Sequence, residues 1–179
     1  MSYSLYIYIP EPNEPTFTET ELTNYLIQLD FASLANSGSL QVGSQLMDFI
    51  TFLGCSPSLS VGEVDSAIKI HFFDETTGLG GDSIQSLRYP TCKHLLDNPA
   101  HLIKNYPQST DWLCPSCGLT GKIDTINWRK SAGFSFVFIE VSQIFPKEAV
   151  PSDKLLKALQ TFSHRDWQWF YSKASSVYT

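Results

Sequence analysis

The chain has 179 residues, 42% hydrophobic and 17% charged, with a net charge of −6 and four cysteines; that length supports one well-buried core carrying an insert and excludes two full-sized domains. No run of about 18 apolar residues is present to cross a membrane, and the first ten residues lack the basic start and small-residue cleavage site of a signal peptide. Four cysteines are also too sparse for a secreted disulfide scaffold, so a cytoplasmic protein with reduced thiols is expected.

Charge is unevenly spread. Residues 1–87 hold one base, Lys69, against eleven acids, whereas residues 88–132 hold six bases against three acids. An acidic front half repels phosphate backbones, so nucleic acid is disfavoured as a partner, and only the mildly basic 88–132 segment offers it a surface. A protein partner of basic character suits the acids of residues 11–30 and 63–82 better. A solvated mixed surface is the bland explanation of the same pattern.

Leu5, Ile7 and Ile9 alternate with Tyr6 and Tyr8 and stop at Pro10, the pattern of a first strand. Thr18 with Glu21 three residues on forms a capping box, and Leu22, Tyr25, Leu26 and Leu29 follow at helical spacing, which predicts a helix over 19–34. Residues 45–53 fit either a helix, through Leu46, Phe49, Ile50 and Leu53, or a buried strand; Gly54 and Pro57 end the segment within a strand's length and favour the strand. Residues 67–73 alternate as a strand, and the Gly-rich run 74–83 reads as a loop.

After the cysteines, residues 134–145 are apolar on both faces for half their length, as in a central strand. Pro151 and Ser152 open a second helix with Leu155, Leu156, Leu159 and Phe162 on one stripe, and Trp167–Tyr171 reads as a last strand before a frayed tail. This order predicts an α+β protein, a ferredoxin-like sandwich with a largely antiparallel sheet and two helices on one face. Residues 84–132 interrupt it, between a first part at 1–83 and a second part at 133–179. So long a connection inside a compact domain needs something to organise it.

The organiser is legible in Cys114-Pro-Ser-Cys-Gly118, with Cys92 and His94 upstream. Two thiolates separated by two residues and followed by glycine make a knuckle that points both sulfurs at one cation. The stretch resembles one knuckle of a zinc ribbon, with Gly118 placed for a left-handed turn residue; the partner half departs from the ribbon pattern, being Cys-x-His. With Cys92 as third ligand and His94 favoured as the fourth beside Cys114 and Cys117, a structural zinc ion is expected. His101, at the start of a short helix after Asn98-Pro99, and Cys55 stand as alternatives to His94. Buried reduced thiols are the competing explanation.

Catalysis is less well supported. Cytidine-deaminase-like enzymes pair Cys-or-His-x-Glu with a later Pro-Cys-x-x-Cys, and Cys92-Lys-His94 with Leu113-Cys-Pro-Ser-Cys117 is superficially similar to that pattern. Here His94 stands where the proton-shuttling Glu would be, so an open-site zinc hydrolase or deaminase is an alternative without its acid and base. A thioredoxin-like pair needs a helix after the first Cys, and Gly118 and Gly121 break one. The run 78–83 lacks the Lys-Ser/Thr of a phosphate loop, and Ser56, Ser58 and Ser60 form no nucleophile elbow. His71 and His164 read as structural histidines, and Trp112, Trp128, Trp167 and Trp169 as packing residues. The expected role is therefore a protein-interaction module with a structural zinc site, with nucleic-acid binding through the insert as a second alternative.

Overall fold

The computed structural model describes residues 3–10, 13–54, 67–81, 86–145 and 147–173. Period-two alternation at the start becomes β1 (Tyr3–Tyr8). Thr18 then caps α1 (Glu19–Gln28): its hydroxyl accepts from Glu21 N–H at 3.2 Å, and the Glu21 carboxylate accepts from Thr18 N–H at 2.8 Å. This helix is shorter than the predicted 19–34. Asp30 takes a left-handed φ of 54°, which turns the chain, and Ala32–Leu34 becomes β2, paired antiparallel with β3 (Leu40–Val42) around Gly38 at φ 84°.

Residues 45–53 divide between the two readings. Leu46–Phe49 is a single helical turn, α2, and Ile50–Phe52 is a strand, β4, which pairs with β9 below and lies outside the main sheet. The strand expected at 67–73 runs on as β5 (Ile68–Gly80), so the predicted loop from 74 is corrected as far as Gly80; its last two residues, 82 and 83, lie outside the described residues. The pairing shifts register between Phe72 and Thr77, which absorbs the polar residues there. Gly80 serves packing here, since a Cβ on it would meet Ser131 O at 2.4 Å.

Next come α3 (Pro99–Lys104), β6 (Asp111–Leu113), β7 (Thr120–Lys122) and a 3-10 turn at Ile123–Thr125. The long central strand β8 (Ala132–Ile144) leads to β9 (Ala149–Pro151), α4 (Asp153–Ser163) and β10 (Gln168–Lys173). The tail predicted to fray, 174–179, lies outside the described residues.

The chain is a mixed α+β protein with antiparallel sheets and four α-helices among the described residues. The main sheet has the order β10-β1-β8-β5, every neighbour antiparallel. Leu5, Ile7, Val137, Ile139 and Val141 share one buried cluster with Leu22 and Leu26 of α1 and with Leu155 and Leu159 of α4, so both longer helices cover the same face. Tyr6, Phe138 and Phe170 pack together on the opposite face, Tyr6 stacked on Phe170 at 5.1 Å. A separate cluster, from Leu87 to Trp128, reaches the sheet through Ala132 and Phe134. Among the described residues, no helix is long and apolar enough to cross a membrane.

Candidate metal centre

Two hairpins bring the cysteines together. In the first, Arg88 bridges Leu95, Leu96 N–H donates to Leu87 O at 2.8 Å, and Tyr89 N–H donates to His94 O at 3.0 Å, leaving Cys92, Lys93 and His94 at the tip. Lys93 sits at φ 61°, so a lysine fills the left-handed turn position usually given to glycine. The Lys93 carbonyl accepts from Arg88 Nη1 at 2.7 Å and its ammonium donates to Pro90 O at 2.6 Å, which holds the turn.

In the second hairpin β6 and β7 pair Asp111 with Lys122 and Leu113 with Thr120, and an ion pair of 2.8 Å joins Lys122 to Asp111. Between them Gly118 N–H donates to Cys114 O at 2.9 Å and Cys114 N–H to Leu119 O at 2.9 Å. Gly118 has φ 72° with open space where a Cβ would lie, so the backbone angle and not crowding calls for glycine. Tyr89 ties the hairpins together: its hydroxyl donates to Leu113 O at 3.2 Å and its ring lies 5.1 Å from that of Trp112. Gly121 leaves room for Trp112, whose ring a Cβ there would approach to 2.6 Å.

The ligand atoms of Cys92, His94, Cys114 and Cys117 all lie within 4.8 Å of one another. Cys92 Sγ is 3.5 Å from Cys114 Sγ, and Cys114 Sγ is 3.9 Å from His94 Nδ1. These three thiols are free, and 3.5 Å is far beyond a disulfide bond of about 2.05 Å. Cys114 is fully buried, Cys92 half-buried, and Cys117 and His94 exposed, so the cluster sits at the surface with one anchor in the second core.

The electrostatics favour a thiolate. Burial opposes ionisation of Cys114, but the N–H groups of Cys117 and Ser116 and the thiols of Cys92 and Cys117 outweigh it and bring its pKa down to about 7. For Cys117 the Leu119 N–H favours the thiolate, yet desolvation and the neighbouring sulfurs together leave its pKa above the ordinary value. Tyr89 is raised by burial first and by the charge of Cys114 second. Cys114 therefore ionises more readily than Cys117, the behaviour of thiols crowded around a space that a cation would fill.

Of the alternative ligands, His101 lies on α3 outside the cluster, its ring against the Asn105 amide at 3.0 Å, and Cys55 lies outside the described residues. His71 donates from Nε2 to Glu140 at 2.7 Å, a structural partner as the sequence reading has it. Ser56, Ser58 and Ser60 are outside the described residues. The sequence reading missed Lys93 and Tyr89. A Cys-x-His tip with no glycine was the available signal that a non-glycine residue must take the left-handed turn.

No protein-family model matches the chain, and no solved structure matches it. The chain is 26% identical over 138 residues to 5-methyltetrahydropteroyltriglutamate–homocysteine methyltransferase of Lactococcus lactis subsp. lactis (strain IL1403). That alignment takes in 76% of this chain and 16% of the methyltransferase, so the chain spans about a sixth of the curated relative it matches.

Proposed function

We propose that Cys92, His94, Cys114 and Cys117 hold one structural zinc ion, and that the protein is an interaction module whose acidic surface meets a basic protein partner. The observation that carries the zinc reading is the closure of the cluster by four protein atoms from two hairpin tips. Tetrahedral zinc with Zn–S bonds of about 2.3 Å and Zn–N bonds of about 2.0–2.1 Å places its ligand atoms about 3.6–3.8 Å apart. The separations of 3.5 and 3.9 Å bracket that spacing. Four protein ligands leave no position for a reactive water, which favours a structural ion over the hydrolase or deaminase alternative.

The scaffold belongs to the same reading. Numbering only the main-sheet strands, the order is fourth, first, third, second, all antiparallel, with helices after the first and third strands. That arrangement supports a ferredoxin-like sandwich carrying residues 84–132 as a zinc-ribbon-like insert. Exposed Glu14, Glu19, Glu21 and Asp30 support the acidic docking surface. The short share of the methyltransferase covered gives no ground for assigning methyl transfer to this chain.

Elemental mass spectrometry on protein purified without chelator or affinity nickel tests the proposal. About one zinc per chain, lost in both Cys92→Ser and His94→Ala, is the expected result; a metal-free wild type sinks it. The partner half is tested by whether a basic protein captured from lysate is released when Glu19, Glu21 and Asp30 are neutralised together.

A further inference from the structure

A cleft of about 600 Å³ opens between the main sheet and the segment that leaves the Cys/His hairpins, a size usual for small-molecule sites. One wall is the sheet end, where the Tyr8 hydroxyl of β1 donates to Gln168 Oε1 of β10 at 3.5 Å. The other runs from Asp124 to Lys130, and buried Ile126, Trp128 and Phe134 give the cleft an apolar lining.

Arg129 and Lys130 line it too, and both have left-handed backbones, with φ of 51° and 56°. Glycine adopts this conformation freely and a long side chain only at a cost. Three contacts fix the strained pair. Arg129 N–H donates to Asn127 Oδ1 at 3.1 Å, the Ser131 hydroxyl donates to the Trp128 carbonyl, and Tyr171 N–H of the edge strand donates to Lys130 O at 3.0 Å. Strain over-determined in this way collects at binding sites.

The two cations are differently placed. Lys130 Nζ is engaged, 3.6 Å from the centroid of the Trp169 ring. The Arg129 side chain is exposed and makes no ion pair or side-chain hydrogen bond among the described residues. One acid, Asp124, shares the cleft, so its lining is net positive in a chain of charge −6.

We propose that this cleft binds a small ligand joining a flat aromatic ring to a phosphate or carboxylate group. Arg129 takes the anion through its planar fork, which matches both oxyanions, and Tyr8 with Trp128 takes the ring. None of the four Cys/His residues lines the cleft, so the site is independent of the metal reading.

The test titrates the full chain with adenosine 5′-monophosphate and with indole-3-acetate by calorimetry, with adenosine, indole, inorganic phosphate and acetate as the separate halves. At least one ringed anion is expected to bind more tightly than either of its halves, and which one binds identifies the oxyanion. Arg129→Ala is expected to weaken that binding by roughly tenfold or more. Arg129→Gly relieves the left-handed strain, so it should lose the ligand equally while its melting temperature holds or rises. Asp124→Asn should tighten binding. The proposal is overturned if neither ringed anion binds at millimolar concentration, if a half binds as tightly as the whole, or if the Arg129 variants bind as the wild type does.

Discussion

The sheet layer and the Cys/His hairpins solve the same problem with different means. Among the described residues the layer gathers 22 buried hydrophobic residues from β1, β5, β8, α1 and α4 and their neighbours, while the hairpin region gathers 11, two of them on β8 itself. Half the core, drawn mostly from turns and short elements, is below what usually folds unaided, and small units of this kind are held by a metal or disulfides. The layer is stabilised by burial; the hairpins concentrate polar atoms around a shared point. Perturbing each means separately should therefore damage one region and spare the other.

Removing the proposed zinc ion is the largest expected effect. Apparent binding energies for structural zinc in finger peptides are about 10–16 kcal/mol, more than the roughly 3–5 kcal/mol that a small core supplies net of chain entropy. Chelation, or Cys114→Ser, should abolish hydrogen-exchange protection in Trp112, Ile123 and their neighbours while Ile139 and Val141 of β8 keep theirs. Equal protection in both regions after chelation would end the distinction between them.

The converse experiment is Leu159→Ala. Leu159 is fully buried between α4 and the sheet, and deleting its side chain should cost about 2–5 kcal/mol. Denaturant unfolding should show that loss while zinc content per folded chain is unchanged. Zinc release and sheet unfolding that move together to one lower midpoint in this variant would show the two regions to be one cooperative unit.

Glu140, the one buried carboxylate among the described residues, tests the layer through its pair with His71. Burial alone would raise its pKa, but hydrogen bonds from His71 and from Ser4 Oγ, at 2.7 and 2.6 Å, outweigh it and hold the carboxyl below its ordinary value. A pKa depressed on folding means stability that is fully present above the unfolded value of about 4.3 and is lost as pH falls through the folded one. Glu140→Gln should cost about 1–3 kcal/mol at neutral pH and flatten the acid limb of stability below about pH 4.3. An unchanged acid limb would show that other carboxylates set it.

What the sequence disclosed differs between the regions for physical reasons. The capping box at Thr18, the stripe on α4 and the alternation of β1 are local patterns, and local patterns survive in one dimension. The helix end at Gln28 is not legible because Leu29 continues the apolar stripe although Asp30 turns the backbone. The extension of β5 through Gly78 and Gly80 was hidden because those glycines answer to a non-local neighbour, Ser131 in the second case. The Cys/His set was legible from spacing, but its choice of His94 over His101 depends on whether the 92–94 tip or α3 faces Cys114, a tertiary fact.

The smallest effect probes the two hairpin tips against each other. Gly118 at φ 72° has open space around it, so Gly118→Ala should cost only the backbone penalty, about 1–2 kcal/mol. Lys93 at φ 61° already carries that penalty, and Lys93→Gly should recover part of it, less than about 1 kcal/mol because the Lys93 ammonium bond to Pro90 O and the lower unfolded-state entropy of lysine are lost with it. Opposite signs for the two substitutions, read as midpoints of zinc release against a competing chelator, would show that both tips are built on the same turn and that one of them carries a lysine where the backbone prefers none. Two losses would mean that the Lys93 side chain supports the first tip by more than its turn costs.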